Sequence, residues 1–314
     1  MRKMIKTFFG VGFLVLLTVF LTACSQVLSQ VSSGSLERII QKGKLVISTE
    51  ADYPPQSEKV QGAVRLANSK CSATEFTANQ FTGFDVDLAV EIAKRLGVEA
   101  CFVTPSWEQV VAGNWNDRWD INVGSMTITK ERAQVLYFPQ PYSTGPAVFL
   151  VNKDDTRFNQ PGDLSGKKIG VCAECPYQFY LDRSLELPGG APINFVVNNP
   201  IIVAYKDDPP ALKVLGQGQG RLDAILMDEV DGLRAIKDGA PLKQVGLPVF
   251  YGYVSVAIDK QSSRDQMPYF QKVNEIIQTI HKDGVLMALS EKYYGVDLTT
   301  VASQFDIHSL GQLP

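Results

Sequence analysis

The sequence predicts an α/β chain built as two lobes with mostly parallel sheets, joined by two extended crossings. Three observations carry that prediction. Short β-rich runs alternate with helix-compatible stretches along most of the chain, the pattern of βαβ units. Two extended apolar runs, near residues 143–148 and 249–254, interrupt the alternation where a chain would pass from one lobe to the other and back. The part beyond the N-terminal leader, about 290 residues, is too long for one small core and suits two. The expected boundaries are 1–23 for a secretory signal, 24–35 for a tether, 36–144 with 253–314 for a discontinuous first lobe, and 145–252 for the second.

Taken in order, Arg2, Lys3 and Lys6 precede an apolar run over 8–20, the layout of an export signal and too short for a comfortable spanning helix. It ends in Leu21-Thr22-Ala23-Cys24, which resembles a bacterial lipobox. Cleavage before Cys24 and acylation of that residue tether the mature chain to a membrane. Residues 25–34 are Ser/Gln-rich, as a flexible tether is. No later run is long enough to span a bilayer, so the expectation is a soluble body in the periplasm or at the cell surface.

Residues 45–49 read as a strand ending at the turn Tyr53-Pro54-Pro55. The polar stretch 56–80 reads as a loop insertion tied down by Cys71. From Gly83 an amphipathic helix opens, with Val86, Ala89, Ile92, Ala93 and Leu96 on one face and Gly97 as its stop. Strand 100–104, a short helix 107–112 and strand 120–124 follow. The second alternation begins with strand 168–171. Strands at 193–197 and 223–227 enclose a helix at 210–216, and helices at 268–281 and 285–293 finish the ordered part. Trp115 and Trp119 read as packing residues, and His281 and His308 as structural.

Thirty-three acidic and 30 basic residues are interspersed, and no basic stripe or aromatic-basic motif speaks for a nucleic-acid partner. Beyond Cys24 there are Cys71, Cys101, Cys172 and Cys175, which in an exported chain read as disulfide partners. Three pairings are open, and the sequence-local one joins Cys71 to Cys101 and Cys172 to Cys175. With two histidines in the chain and no second Cys-x-x-Cys, no metal or other cofactor is expected.

The chemistry concentrates in Ser125-Met126-Thr127-Ile128-Thr129-Lys130-Glu131-Arg132, directly after the apolar run 121–124. A free α-carboxylate needs such a set: a planar two-pronged cation and fixed hydroxyl donors. Thr129, three residues before Arg132, also reads as a helix start, whose N–H groups favour an anion.

Several motifs in order resemble one family. They are Gly83-Phe84-Asp85-Val86-Asp87-Leu88, the segment from Gly124 to Arg132 followed by Tyr137-Phe138-Pro139, and Gly220-Arg221-Leu222-Asp223-Ala224 leading to Met227-Asp228-Glu229. Lys282-Asp283-Gly284 before Ser290-Glu291-Lys292-Tyr293-Tyr294-Gly295 completes the set. Over residues 36–295 the chain resembles the bacterial solute-binding proteins, family 3, that serve ABC importers of polar amino acids. The resemblance implies a two-lobed periplasmic-binding-protein-like (type II) fold with two hinge crossings. It implies a monomer that delivers an amino acid to an ABC permease. In that reading Arg132 pairs with the ligand carboxylate, Thr127 donates a hydroxyl, and Ser125 and Asp228 take the α-ammonium. Asp228 equally suits a helix N-cap.

Tyr53 and Trp107 match positions where relatives wall the ligand side chain, and both also fit core packing. Glu50 matches an acid that some relatives keep for a cationic tip, with Asp52 and Glu108 adding negative potential. Aromatics beside carboxylates suit an arginine- or lysine-like ligand. Solvated surface charge explains the same acids. The chain departs from the family at Glu174-Cys175-Pro176-Tyr177, where relatives carry Gly-Thr and a backbone donor. Pro176 has no N–H, so either Cys175 or Tyr177 supplies a replacement or the second lobe grips the ligand differently. The rival readings are a periplasmic cyclohexadienyl (prephenate or arogenate) dehydratase-like enzyme and a ligand-sensing ectodomain.

Overall fold

The computed structural model describes residues 34–189, 193–206, 208–218 and 220–312. The expected signal and Cys24 lie outside the described residues, and Ser35, the last residue assigned to the tether, already opens a helix. The first half runs α1 (Ser35–Lys42), β1 (Lys44–Ser48), β2 (Asp52–Tyr53), β3 (Ser57–Lys59), β4 (Phe76–Thr77), β5 (Phe81–Thr82), α2 (Phe84–Arg95), β6 (Glu99–Val103), α3 (Trp107–Val111), β7 (Ile121–Thr127), α4 (Arg132–Val135) and β8 (Leu136–Tyr137). It continues through β9 (Ser143–Asn152), β10 (Lys168–Cys172), α5 (Pro176–Leu181), β11 (Ile201–Tyr205), α6 (Asp208–Gly216), β12 (Ala224–Asp228) and α7 (Glu229–Lys237). Strand β13 (Leu242–Asp259) and helices α8 (Met267–Lys282) and α9 (Val285–Tyr294) follow.

The main sheet has the order β11-β10-β12-β9-β13-β7-β1-β6-β4. Its two flanks are parallel triads, β6-β1-β7 and β11-β10-β12. Between them β9 and β13 pair antiparallel, so that Ser143 faces Val254, Gly145 faces Gly252 and Ala147 faces Phe250. The two crossings read from the sequence are thus hydrogen-bonded to each other.

Burial sorts the apolar residues into groups on either side of these crossings. One group draws on residues 39–142 and 254–307 and includes Ile47, Phe84, Ile92, Phe102, Trp115 and Phe270. The segment 147–250 supplies the rest, split between the two faces of its strands. Ala147, Phe149, Ala224 and Leu226 pack on one face, and Val148, Leu150, Ile225 and Met227 on the other. That alternation explains why β9 and β12 read as continuous apolar runs: both faces are covered by helices or loops.

Two expectations need correction. Residues 193–197 are not a strand. Their backbone groups go to Tyr180, whose hydroxyl donates to the Asn194 carbonyl (3.0 Å) and accepts from the Val196 N–H (3.1 Å), while Phe195 stacks on its ring. The strand beside β10 is β11, which the reading passed over because an edge strand with Ile201 half exposed lacks a buried pattern. The helix expected from Thr129 begins at Arg132 and is four residues long, with the Thr129 hydroxyl accepting from the Arg132 N–H (3.2 Å). The polar insertion 56–80 holds the short strands β3 and β4, and its Cys71 is bonded to Cys101 on β6. Cys172 is bonded to Cys175. Trp115 and Trp119 are buried against each other (5.4 Å), and the His281 ring meets the Pro141 carbonyl (2.7 Å). No helix among the described residues is long and apolar enough to cross a membrane.

Cys71 and Cys101 are 30 residues apart, and closing a loop of that length restricts the unfolded chain. Replacing both by Ala is expected to cost about 2–4 kcal/mol, read as a lower urea midpoint with a steeper slope, because the unbridged unfolded chain exposes more surface.

Candidate functional site

The site forms where strand ends converge. Strand β1 delivers Glu50, Asp52 and Tyr53 in the turn that follows it, β7 ends in Ser125 and Thr127, and β12 ends in Asp228. Ligands of open α/β sheets gather at such C-terminal strand ends. A cleft of about 730 Å³ is lined by Glu50, Asp52, Tyr53, Trp107, Ser125, Thr127, Arg132, Tyr177, Lys206, Asp231, Arg234 and Asp238, among others. An inner recess shares Tyr53, Ser125, Thr127 and Tyr177 with it and adds Gln56, Tyr142, Gly145, Asp228 and Tyr294. Six of the seven residues singled out for ligand contact therefore line the cleft, and the seventh, Asp228, lines the recess that shares walls with it. Glu108 is exposed and does not line it.

Arg132 is buried, and its Nη1 donates to the Thr127 carbonyl (2.9 Å). Its guanidinium lies 5.2 Å from the Trp107 ring centre, so the Trp107 face supports the cation. Among the described residues no carboxylate lies within ion-pair distance of it. Burial pushes it down to about 10, only partly offset by the nearby Glu131 carboxylate.

Ser125 sits in the left-handed region (φ 48°), an unfavourable place for a non-glycine residue. Asp85 and Tyr142 hold it there. The Ser125 hydroxyl donates to Asp85 (2.8 Å), the Tyr142 hydroxyl donates to the other Asp85 oxygen (2.7 Å), and the Ser125 N–H donates to the Tyr142 oxygen (3.0 Å). Asp85 is fully buried, and burial outweighs these bonds and raises it to about 6. In the sequence Asp85 stands in the first turn of α2, where an acid suits the helix dipole. Its spacing three and four residues before Leu88 and Ala89, on the buried face, was the available signal.

Asp228 is at once the N-cap of α7 and a wall of the inner recess. One carboxylate oxygen accepts from the Val230 N–H (2.9 Å). The other lies against Gly145, where a Cβ would sit 2.7 Å away. Thr127 stands in the same relation to Gly252, whose Cβ would come within 2.8 Å of its methyl. The facing glycines of the two crossings thus leave room for one site group each. Burial pushes Asp228 up to about 8, helped by the like charge of Asp231 one turn along α7. Asp231, which the sequence reading missed, is also raised by burial and accepts from the Tyr53 hydroxyl (2.8 Å). It follows a capping Asp at the polar start of a helix, where an acid is unremarkable.

Pro176 occupies the first position of α5, with Cys175 as N-cap and Glu174 in the left-handed region (φ 55°), where glycine is the usual residue. Cys172, Cys175 and Tyr177 all reach the cleft.

A profile of the bacterial extracellular solute-binding proteins, family 3, matches residues 68–296. The L-cystine-binding protein TcyJ of Escherichia coli (strain K12) is 30% identical over 284 residues, covering 90% of this chain and 94% of that protein. The L-arginine-binding protein of Pseudomonas aeruginosa is 27% identical, with 80% and 88% covered. Among solved structures, the ancestral amino acid-binding protein AncCDT-1, described as a precursor of cyclohexadienyl dehydratase, aligns with a TM-score of 0.65. It is 25% identical and covers 83% of this chain and 100% of its own. An ancestral arginine-binding protein bound to arginine aligns at 0.62 with 25% identity, covering 81% and 99%. With its parallel triads, its paired crossings and these matches together, this chain belongs to the bacterial extracellular solute-binding proteins, family 3.

Proposed function

We propose that the chain is an extracytoplasmic, lipid-anchored monomer that closes on an amino acid and presents it to an ABC permease. The observation that carries this is a buried guanidinium, Arg132, and a buried carboxylate, Asp228, reaching one cleft from different core groups with no ion pair between them. An α-amino acid supplies both missing charges, its carboxylate to Arg132 and its ammonium to Asp228. Residues 36–144 with 253–314 act as one lobe and 145–252 as the other. The ligand drives closure through the contacts that it gains from the second lobe.

The side chain of the ligand is cationic in this reading. The connected cleft carries five carboxylates (Glu50, Asp52, Asp228, Asp231 and Asp238) against three cations (Arg132, Lys206 and Arg234). A second reading, L-cystine, draws support from the name of the relative at 30% identity and from Lys206, Arg234 and Asp238. These could meet a second amino-acid head. A dehydratase would instead turn over prephenate in the same cleft.

At about 100 times its dissociation constant, a bound amino acid stabilises the fold by about 2.7 kcal/mol, or roughly 5–10 °C in midpoint. L-Arginine or L-lysine is expected to give that shift, and Arg132→Ala and Asp228→Ala each to weaken binding roughly 100-fold or more. A shift with L-cystine alone selects the second reading. No shift with any amino acid, together with loss of prephenate, overturns the transport function.

The pH dependence follows from Asp228. Its carboxyl is raised from the ordinary carboxylate range in the solvated open form to about 8 in the closed, ligand-free form, so closure without ligand takes up a proton. That contribution is complete below the ordinary carboxylate value and is lost as pH rises through about 8. Ligand-free protein is therefore expected to be more compact in X-ray scattering at pH 6 than at pH 9, and Asp228→Asn to remove the difference.

A further inference from the structure

Asp231 and Tyr53 meet across the cleft. Asp231 lies in the first turn of α7, within the 145–252 segment, whereas Tyr53 lies in β2, within the 36–144 segment. The Tyr53 hydroxyl donates to Asp231 Oδ2 at 2.8 Å inside the cleft. Gln56, three residues beyond Tyr53, donates its amide N–H to the other Asp231 oxygen (3.4 Å). A second link between the same segments joins Lys130 to Glu186, through a backbone bond (3.1 Å) and an ion pair (2.6 Å). Both side chains of that ion pair are about two-thirds exposed, so water and salt screen it. The Tyr53–Asp231 bond is part-buried inside the cleft, where a hydrogen bond to a carboxylate is less screened than the exposed ion pair.

A ligand held between Tyr53 and the Arg132–Asp228 axis leaves only when the lobes part, and parting breaks this bond. We propose that Asp231 is the latch of the cleft, a positioning residue that holds Tyr53 in the closed state and sets how long a bound amino acid stays. The proposal rests on the two-lobed amino-acid-binding reading above. It assigns Asp231 to retention, leaving capture to Arg132 and Asp228. The groups facing the Asp231 carboxyl are Asp228 and Arg234 on its own helix and Tyr53 with Gln56 from the other side.

Stopped-flow binding of L-arginine and of L-cystine to the purified protein tests this in a double-mutant cycle of Asp231→Ala and Tyr53→Phe. Each single change is expected to raise the dissociation rate about 10–100-fold and to leave the association rate within about threefold. The double variant should be no faster than the worse single one. Asp231→Asn keeps an acceptor for Tyr53 and should recover most of the slow release. Thermal midpoints of the ligand-free variants, compared with the parent, check that the fold is intact. Additive effects in the cycle, or an unchanged dissociation rate in Asp231→Ala, overturn the latch. If neither probe binds the parent protein, the amino-acid reading fails on its own. The latch is then decided by X-ray scattering without ligand: expansion of Asp231→Ala relative to the parent supports it, and equal compactness overturns it.

Discussion

Withdrawing an ionisable group from water without a partner of opposite charge is among the most expensive arrangements a protein can hold, and this cleft does so with a guanidinium and with a carboxyl group. Arg132 is buried against Trp107 and Thr127, and Asp228 is deep enough that its carboxyl favours the protonated form near neutral pH. Neither relieves the other. The fold tolerates that arrangement because the Trp107 ring face and the Thr127 carbonyl support the guanidinium and the Val230 N–H supports the carboxyl.

The crossings matter for the same reason. Strands β9 and β13 lie side by side, and their facing glycines, Gly145 and Gly252, let Asp228 and Thr127 approach the backbone more closely than any side chain there would permit. Relative rotation about those two strands would change the spacing of the cleft walls while each core group stays packed. Beneath one wall, Asp85 and Tyr142 hold Ser125 in a left-handed conformation that the chain would not choose alone. The cost of that conformation is met by a buried hydrogen-bonded network, a common way of aiming a backbone at a ligand.

The second half of the ligand loop is built differently. Glu174 adopts a backbone conformation suited to glycine, and the Cys172–Cys175 bond closes the loop around it. A covalent closure takes over a task that glycine performs by conformational freedom, so the missing Pro176 N–H is accompanied by a rebuilt loop rather than a simple loss.

Much of this was legible in the residues themselves. Period and punctuation located the long helices and the central strands, because the apolar stripe of α2 and the doubly buried runs of β9 and β12 repeat at spacings that only one local geometry satisfies. Helices α1, α5 and α7 and the short strands β2–β5 and β8 carry no such pattern. Chemical type singled out Arg132, Thr127 and Asp228, since a buried apolar run that ends in a charge has few structural uses. What stayed hidden depended on partners distant in sequence. Strand β11 is defined by its neighbour β10 rather than by its own pattern, and the 193–197 segment spends its hydrogen bonds on Tyr180. Asp85 and Asp231 looked like ordinary helix-start acids because the macrodipole accounts for them locally. Local sequence thus determined elements, compartment signals and the kinds of charge available. Only tertiary packing decided which of those charges lose water and meet, because burial and distance belong to residues brought together from far along the chain.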